Sequence, residues 1–292
     1  MDKSRWKVER FCKGLDKWLN DPERVKYMLD DPRRAILGYV DGKASLGSAE
    51  MACMILGTRY ECAGVARVWS GDLAGLEDMQ HGMRLKALHY HILRIIWGVQ
   101  HKGLHLNLHK VALSLGLAAT VGASTDASWL YGACADLRFN EFAYPIPNMK
   151  AANFVVQIYA AGHSLPQPAG YEIEEPFATL FNSWDHPDSA VLTEPIMSVC
   201  DYHIAQTGQL SNRTPEFNET IYQVMPVEVL MVYRLREARG LENPDVDHPV
   251  MRSPFGRLYP VREVEPLPLL AKVRARAATF SGWANEPHDR TG

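Results

Sequence analysis

The chain has 292 residues, of which 47% are hydrophobic and 22% charged, and its formal net charge is −3. That composition excludes a disordered chain, which lacks large apolar residues, and the near-neutral balance excludes a global basic field for holding nucleic acid. The start MDKSRWKVERF is charged, and the span Arg34 to Gly57 is interrupted by Asp41, Lys43 and Glu50, so neither a signal peptide nor a transmembrane helix is expected. The cysteines (Cys12, Cys53, Cys62, Cys134, Cys200) are scattered and form no CxxC pair. They read as reduced, buried thiols of a cytoplasmic protein.

Helix signals run along most of the chain. From Ser4 to Asn20, Val8, Phe11, Leu15, Trp18 and Leu19 recur at spacings of three and four, with Ser4 available as N-cap. Asp21-Pro22-Glu23 opens a second helix, and Asp31-Pro32 opens a third over Arg33 to Tyr39. Small residues dominate Ser48 to Thr58, where helices can approach closely. Further helices are predicted over Glu61–Ser70, Met83–Gly98, Leu104–Thr120, Asp126–Leu137 and Met149–Gly162. Short links between them imply antiparallel neighbours.

Leu165 to Pro176 reads as a loop because of Pro166, Pro168, Gly170 and Pro176. Phe177–Asp185 and Ala190–Thr207 read as helices, Gly208–Phe217 as a polar link, and Pro226–Arg239 as an amphipathic helix stopped by Gly240. A proline-rich stretch from Asn243 to Pro268 precedes a last helix over Leu269–Phe280. Hairpin turns between alternating strands are missing. The expectation is an all-α fold: one domain over 1–292, an irregular array of antiparallel helical hairpins with a Pro-rich C-terminal wrap and 281–292 as a tail. Trp18, Trp69, Trp97 and Leu230 are expected in its core.

Histidines cluster at His81, His89, His91, His101, His105 and His109, and the pairs 101/105 and 105/109 could share a helix face to chelate a metal. Yet no HExxH motif is present, and no acid lies between Asp78 and Asp126. A metal-dependent helical hydrolase is therefore the alternative reading, and no metal ligand, cofactor or catalytic residue is assigned. Gly122-Ala-Ser124 fails as a nucleophile elbow, and no phosphate-binding glycine loop exists.

Charge is unevenly distributed. From Val111 to Asn212 the chain carries ten acids and very little Lys or Arg; from Tyr171 to Asp201 there are seven acids and neither base. A one-sign surface speeds association with a partner of opposite sign and repels others.

The segment Pro226-Val-Glu-Val-Leu-Met-Val-Tyr-Arg-Leu-Arg, followed by Gly240-Leu-Glu-Asn-Pro-Asp-Val-Asp-His-Pro-Val-Met-Arg-Ser-Pro-Phe-Gly-Arg-Leu, resembles the closing segment of all-helical bacterial immunity proteins that accompany secreted or polymorphic toxins. The resemblance is close over about 40 residues and otherwise extends only to helix pattern. It implies a non-enzymatic protein that binds and neutralises a cognate toxin or effector with a basic surface, without contacting nucleic acid or membrane. The acidic stretch supplies the expected partner-binding residues: Tyr171, Glu172, Glu174, Glu175, Trp184, Asp185 and Asp188, the acids as steering charges and the aromatics (with Phe177) as anchors, with a core position the alternative for Phe177 and Trp184. The remaining alternative is a helical scaffold for another basic partner.

Overall fold

The computed structural model describes residues 8–100, 107–135, 149–207 and 215–279. Among them there is no strand, only an isolated parallel bridge between Thr207 and Phe217, and the fold is all-α. In chain order the helices are α1 (Val8–Leu19), α2 (Pro22–Val25), α3 (Asp31–Val40), α4 (Leu46–Trp69), α5 (Gly75–Gln100), α6 (Leu108–Thr120), α7 (Ser124–Ala135), α8 (Lys150–Gly162), α9 (Phe177–Ser183), α10 (Thr193–Ala205), α11 (Thr220–Val224), α12 (Val227–Ala238), α13 (Pro249–Arg252) and α14 (Pro268–Ala277). No described helix is long and apolar enough to cross a membrane.

Local chemistry explains most boundaries. Asp21 caps α2, accepting from the Arg24 N–H at 3.1 Å, with Pro22 in the first turn. Asp31-Pro32 behaves differently: the chain runs from α2 through a π turn over Lys26–Asp30 into α3 without a new cap. A wider turn there suits a proline ring that would crowd the carbonyl four residues back. The break expected near Tyr60 is absent, and α4 is one 24-residue helix capped by Ser45. Nothing at 58–60 is a breaker; Thr58 simply bonds back to the Met54 carbonyl at 3.1 Å. α5 starts at Gly75, well before the expected Met83. Gly240, at φ 71°, ends α12 as expected.

The described chain, read from sequence as one domain, gathers into two compact units. The first is built from residues 9–100 and 263–279, the second from 108–135, 149–207 and 215–262.

In the first unit, α4 and α5 pack as an antiparallel pair at glycine contacts. A Cβ at Gly64 or Gly75 would fall 2.5 Å from the other glycine's carbonyl oxygen, so only hydrogen fits. Gly57 and Gly82 do related work. Gly57 faces the stem of Lys86, Gly82 faces the stem of Glu61, and Lys86 Nζ meets Glu61 Oε2 at 2.5 Å. Each glycine sits one turn before its own helix's charged residue, so each charge lies in the space that the opposite glycine vacates. Both side chains are 2% exposed. Around this pair, Ile36, Leu56, Leu85, Leu88 and Ile92 form a core that α14 completes with Leu270 and Val273.

In the second unit, α6 packs against α7, α8 and α12. Gly116 of α6 lets Val155 and Val227 close over it, and Gly162 of α8 receives the Leu235 side chain. Leu230 is fully buried, as expected. Trp18 and Trp69, also expected in the core, are only half-buried. Trp18 lies beneath the Arg24 guanidinium, 5.6 Å from its ring centre, so its apolar face meets a cation rather than the interior. The Trp97 side chain lies outside the described residues. All five cysteines are reduced and buried.

The enclosed Lys86–Glu61 pair yields a prediction. Replacing Lys86 alone with Met should cost about 3–5 kcal/mol, since it takes the ammonium away from a buried carboxylate. Pairing that change with Glu61→Leu should recover most of the loss, and urea denaturation of the three proteins checks both outcomes.

Candidate functional site

The acidic segment lies in the second unit, in the chain between α8 and α10, and its backbone is tied down by donors from three helices. Along α8, Lys150 Nζ donates to the Glu175 carbonyl at 3.0 Å, Asn153 Nδ2 to the Glu172 carbonyl at 3.0 Å, and Gln157 Nε2 to the carbonyls of Pro168 and Tyr171 at 3.0 and 2.9 Å. The spacing 150, 153, 157 places these donors along one helix face. From α7, the Tyr131 hydroxyl donates to the Pro166 carbonyl at 2.6 Å. The segment returns one bond, as the Tyr171 hydroxyl donates to the Cys134 carbonyl at 2.9 Å.

The third helix is α12. Arg236 is fully buried. Its Nη1 donates to the carbonyls of Trp184 at 2.6 Å and His186 at 2.9 Å, while Nε and Nη2 donate to the Glu242 carbonyl. Burial lowers its pKa, yet a guanidinium stays charged. Arg239, one turn on, stacks over Trp184 at 4.2 Å and pairs with Asp185 at 3.3 Å. The chain beyond α12 folds back on it. The Tyr233 hydroxyl donates to the Pro244 carbonyl, Asn243 Nδ2 donates to the Tyr233 carbonyl, and buried His248 caps α13 with Nδ1 while its Nε2 faces Asp201 at 3.2 Å.

This geometry reassigns the expected aromatic anchors. Trp184 is 5% exposed and Phe177 is fully buried, its ring beside Phe154 and Tyr202 at 5.0 and 5.2 Å. Tyr171 is half-buried, and burial pushes its phenol well above the usual range. All three hold the segment rather than project from it, because the loop must cover its own apolar side chains. Glu172, Glu174, Glu175, Asp185 and Asp188 are exposed, as a steering surface requires. They are not equivalent. Glu174 pairs with Lys150 at 2.9 Å, Glu175 accepts from the Thr179 hydroxyl, Asp185 holds Arg239, and Asp188 caps the turn at Ser189–Leu192 by accepting from Ala190 N–H.

The charge count missed Lys150, which lies outside 171–201 in sequence but supplies a cation to the same surface. It also missed the fasteners Asn153, Gln157, Arg236 and Arg239, and the exposed Leu165 and Val191, which bracket the acidic stretch in sequence. No single residue type marks a donor aimed at a loop carbonyl.

The histidines expected to offer a metal site have other surroundings. His81, half-buried on α5, meets the Tyr60 ring edge-on; burial lowers its pKa. His89 pairs with Glu50, and His91 is buried on the same helix. His109 belongs to the second unit, its Nε2 donating to the Glu216 carbonyl at 2.7 Å. His101 and His105 lie outside the described residues. Among those described, no three His, Cys, Asp or Glu side chains converge on a metal position.

No family model, characterised protein or solved structure matches this chain.

Removing the buried guanidinium should be costly, since three carbonyls lose their donor. Arg236→Met is expected to lose about 3–5 kcal/mol, with Arg236→Lys recovering only part, because an ammonium cannot reproduce the planar fork. Urea midpoints of the two variants test this. At the start of the same loop, Ser164 adopts φ 55° at the end of α8. Ser164→Gly should stabilise by about 0.5–1 kcal/mol by relieving that left-handed conformation, read as a raised thermal midpoint.

Proposed function

We propose that this chain is a non-enzymatic immunity protein that binds and neutralises a cognate bacterial toxin through the acidic segment 171–188. The observation that carries the reading is the combination of a fastened backbone with outward carboxylates. Main-chain carbonyls from Pro168 to His186 are held by Lys150, Asn153, Gln157 and Arg236, while four acids in the same stretch, and Asp188 just beyond it, remain exposed. A preorganised surface loses little conformational entropy on binding. Exposed acids speed encounter with a basic partner, such as an enzyme whose own working surface meets anionic substrates.

The resemblance supports the same reading by a separate route. Its most recognisable stretch includes Arg236, which holds the carbonyls of Trp184 and His186, and Arg239 beside that stretch holds Asp185. On this reading the motif maintains the binding segment rather than contacting the partner itself.

Glu172 and Glu175 are the residues to reverse, because Asp188 caps a turn and Asp185 and Glu174 hold intramolecular cations. Glu172→Lys with Glu175→Lys should leave the thermal midpoint within about 2 °C and lower the association rate with the toxin encoded by the adjacent gene by about tenfold or more at low salt. The difference from the unmodified protein should shrink as salt rises. Surface plasmon resonance and a growth-rescue assay with that gene provide the readouts. Unchanged association and unchanged rescue would remove the acidic segment from the interface.

A further inference from the structure

Beneath the first turn of α8 lies a group of buried ionisable side chains that the binding segment does not use. Glu216 is 1% exposed, and its carboxyl accepts from the Ala152 N–H at 2.9 Å and from the Tyr202 hydroxyl at 2.7 Å. It serves as an N-terminal cap for α8 contributed from 64 residues away, since Met149, at the capping position, makes no side-chain bond. The next residue, Phe217, stacks on His203 of α10, and that imidazole's Nδ1 meets Glu228 of α12 at 2.7 Å. The Glu216 carbonyl takes the His109 Nε2–H from α6. The Glu216-Phe217 dipeptide thus joins α6, α8 and α10, and His203 extends the group to Glu228 of α12.

The ionisable and charged groups around it can be named element by element. α6 brings His109, whose pKa burial lowers, and Lys110, which pairs with Glu219 at 2.8 Å. α10 brings Tyr202 and His203, α12 brings the fully buried Glu228, and the first turn of α8 brings Lys150, which is engaged by Glu174. Among the described residues no cation pairs with the Glu216 carboxylate, and a second carboxylate lies nearby. A buried carboxylate in that setting is costly as an anion. Burial, opposed by the Tyr202 and α8 donors and aided by the Glu228 charge, pushes Glu216 up to about 7.

We propose that Glu216 is a proton-held latch: the neutral carboxyl keeps residues 215–217 closed on α6, α8 and α10, and loss of its proton opens them. The sign follows from linkage. An opened Glu216 in water returns to its ordinary value of 4.5, so the closed form binds more protons between 4.5 and about 7. Raising pH through that window favours opening by about tenfold per pH unit, and above it the effect levels off. The latch abuts the turn that carries Lys150 and Asn153, so opening would also loosen the mount of residues 172–175. It concerns the chain alone and goes beyond the toxin-binding reading.

Amide hydrogen exchange of the full chain, without any partner, tests it between pH 4.5 and 8.5 after correction for intrinsic exchange rates. The reporters are the Ala152 N–H and the Phe217 N–H, which donates to the Gln206 carbonyl at 3.1 Å. Protection at both should fall about tenfold per unit up to pH 7 and then flatten, while Glu216→Gln, neutral throughout, shows no such slope. Tyr202→Phe, which removes a donor to the anion, should move the flattening point to higher pH, and it serves if the glutamine variant does not fold. Protection independent of pH in the unmodified chain, or an equal slope in Glu216→Gln, would overturn the latch.

Discussion

Arg236 brings a full positive charge into the interior of the second unit and discharges it entirely on peptide carbonyls. Ordinarily a buried guanidinium is matched by a carboxylate. Here the acceptors are main-chain groups of residues 184, 186 and 242, so the charge acts as a bracket for chain geometry. Loop carbonyls that would otherwise lack donors are satisfied in one step, and the loops that bear them gain a defined position. The acidic turn at 184–188 and the fold-back after α12 both depend on that bracket. Asp185, within the same turn, is left to Arg239 at the surface.

The first unit uses buried charge differently. Lys86 and Glu61 neutralise each other across a helix pair, and glycines on the facing helices make the room. Such a pair contributes little net stability over apolar packing, but it penalises sliding of one helix against the other, since any shift separates the charges. The glycine contacts at 64 and 75 impose the same register sterically. Two independent constraints therefore act on a pair of long helices whose surfaces are otherwise rich in small side chains.

Helical periodicity was legible almost throughout, because three-and-four spacing reports directly on which face is buried. The Asp-Pro start was legible at Asp21 and misleading at Asp31, where a π turn carried the helix past the proline, and the Ser45 cap of α4 went unread behind the small-residue run. Burial was overestimated for Trp18, whose face meets Arg24, and underestimated for Trp184, an expected anchor that packs inside beneath Arg239. The acids of the candidate segment were found by charge count alone. Its fasteners were not, because Asn153, Gln157 and Arg236 act on backbone atoms of residues remote in sequence, and side-chain pattern carries no trace of that. The division into two units was equally hidden, as it depends on which distant helices meet.

That division is discontinuous: α14, near the chain's end, supplies Leu270 and Val273 to a core whose other members come from residues 36–92. During synthesis those earlier helices leave the ribosome with one apolar face uncovered and wait while the entire second unit is translated. Over that interval the face is open to solvent and to other nascent chains, and a helper that shields hydrophobic surface would act then. A stalled or truncated product ending before Pro268 would carry the same uncovered face permanently, which makes it a substrate for quality-control proteolysis rather than a half-active fragment.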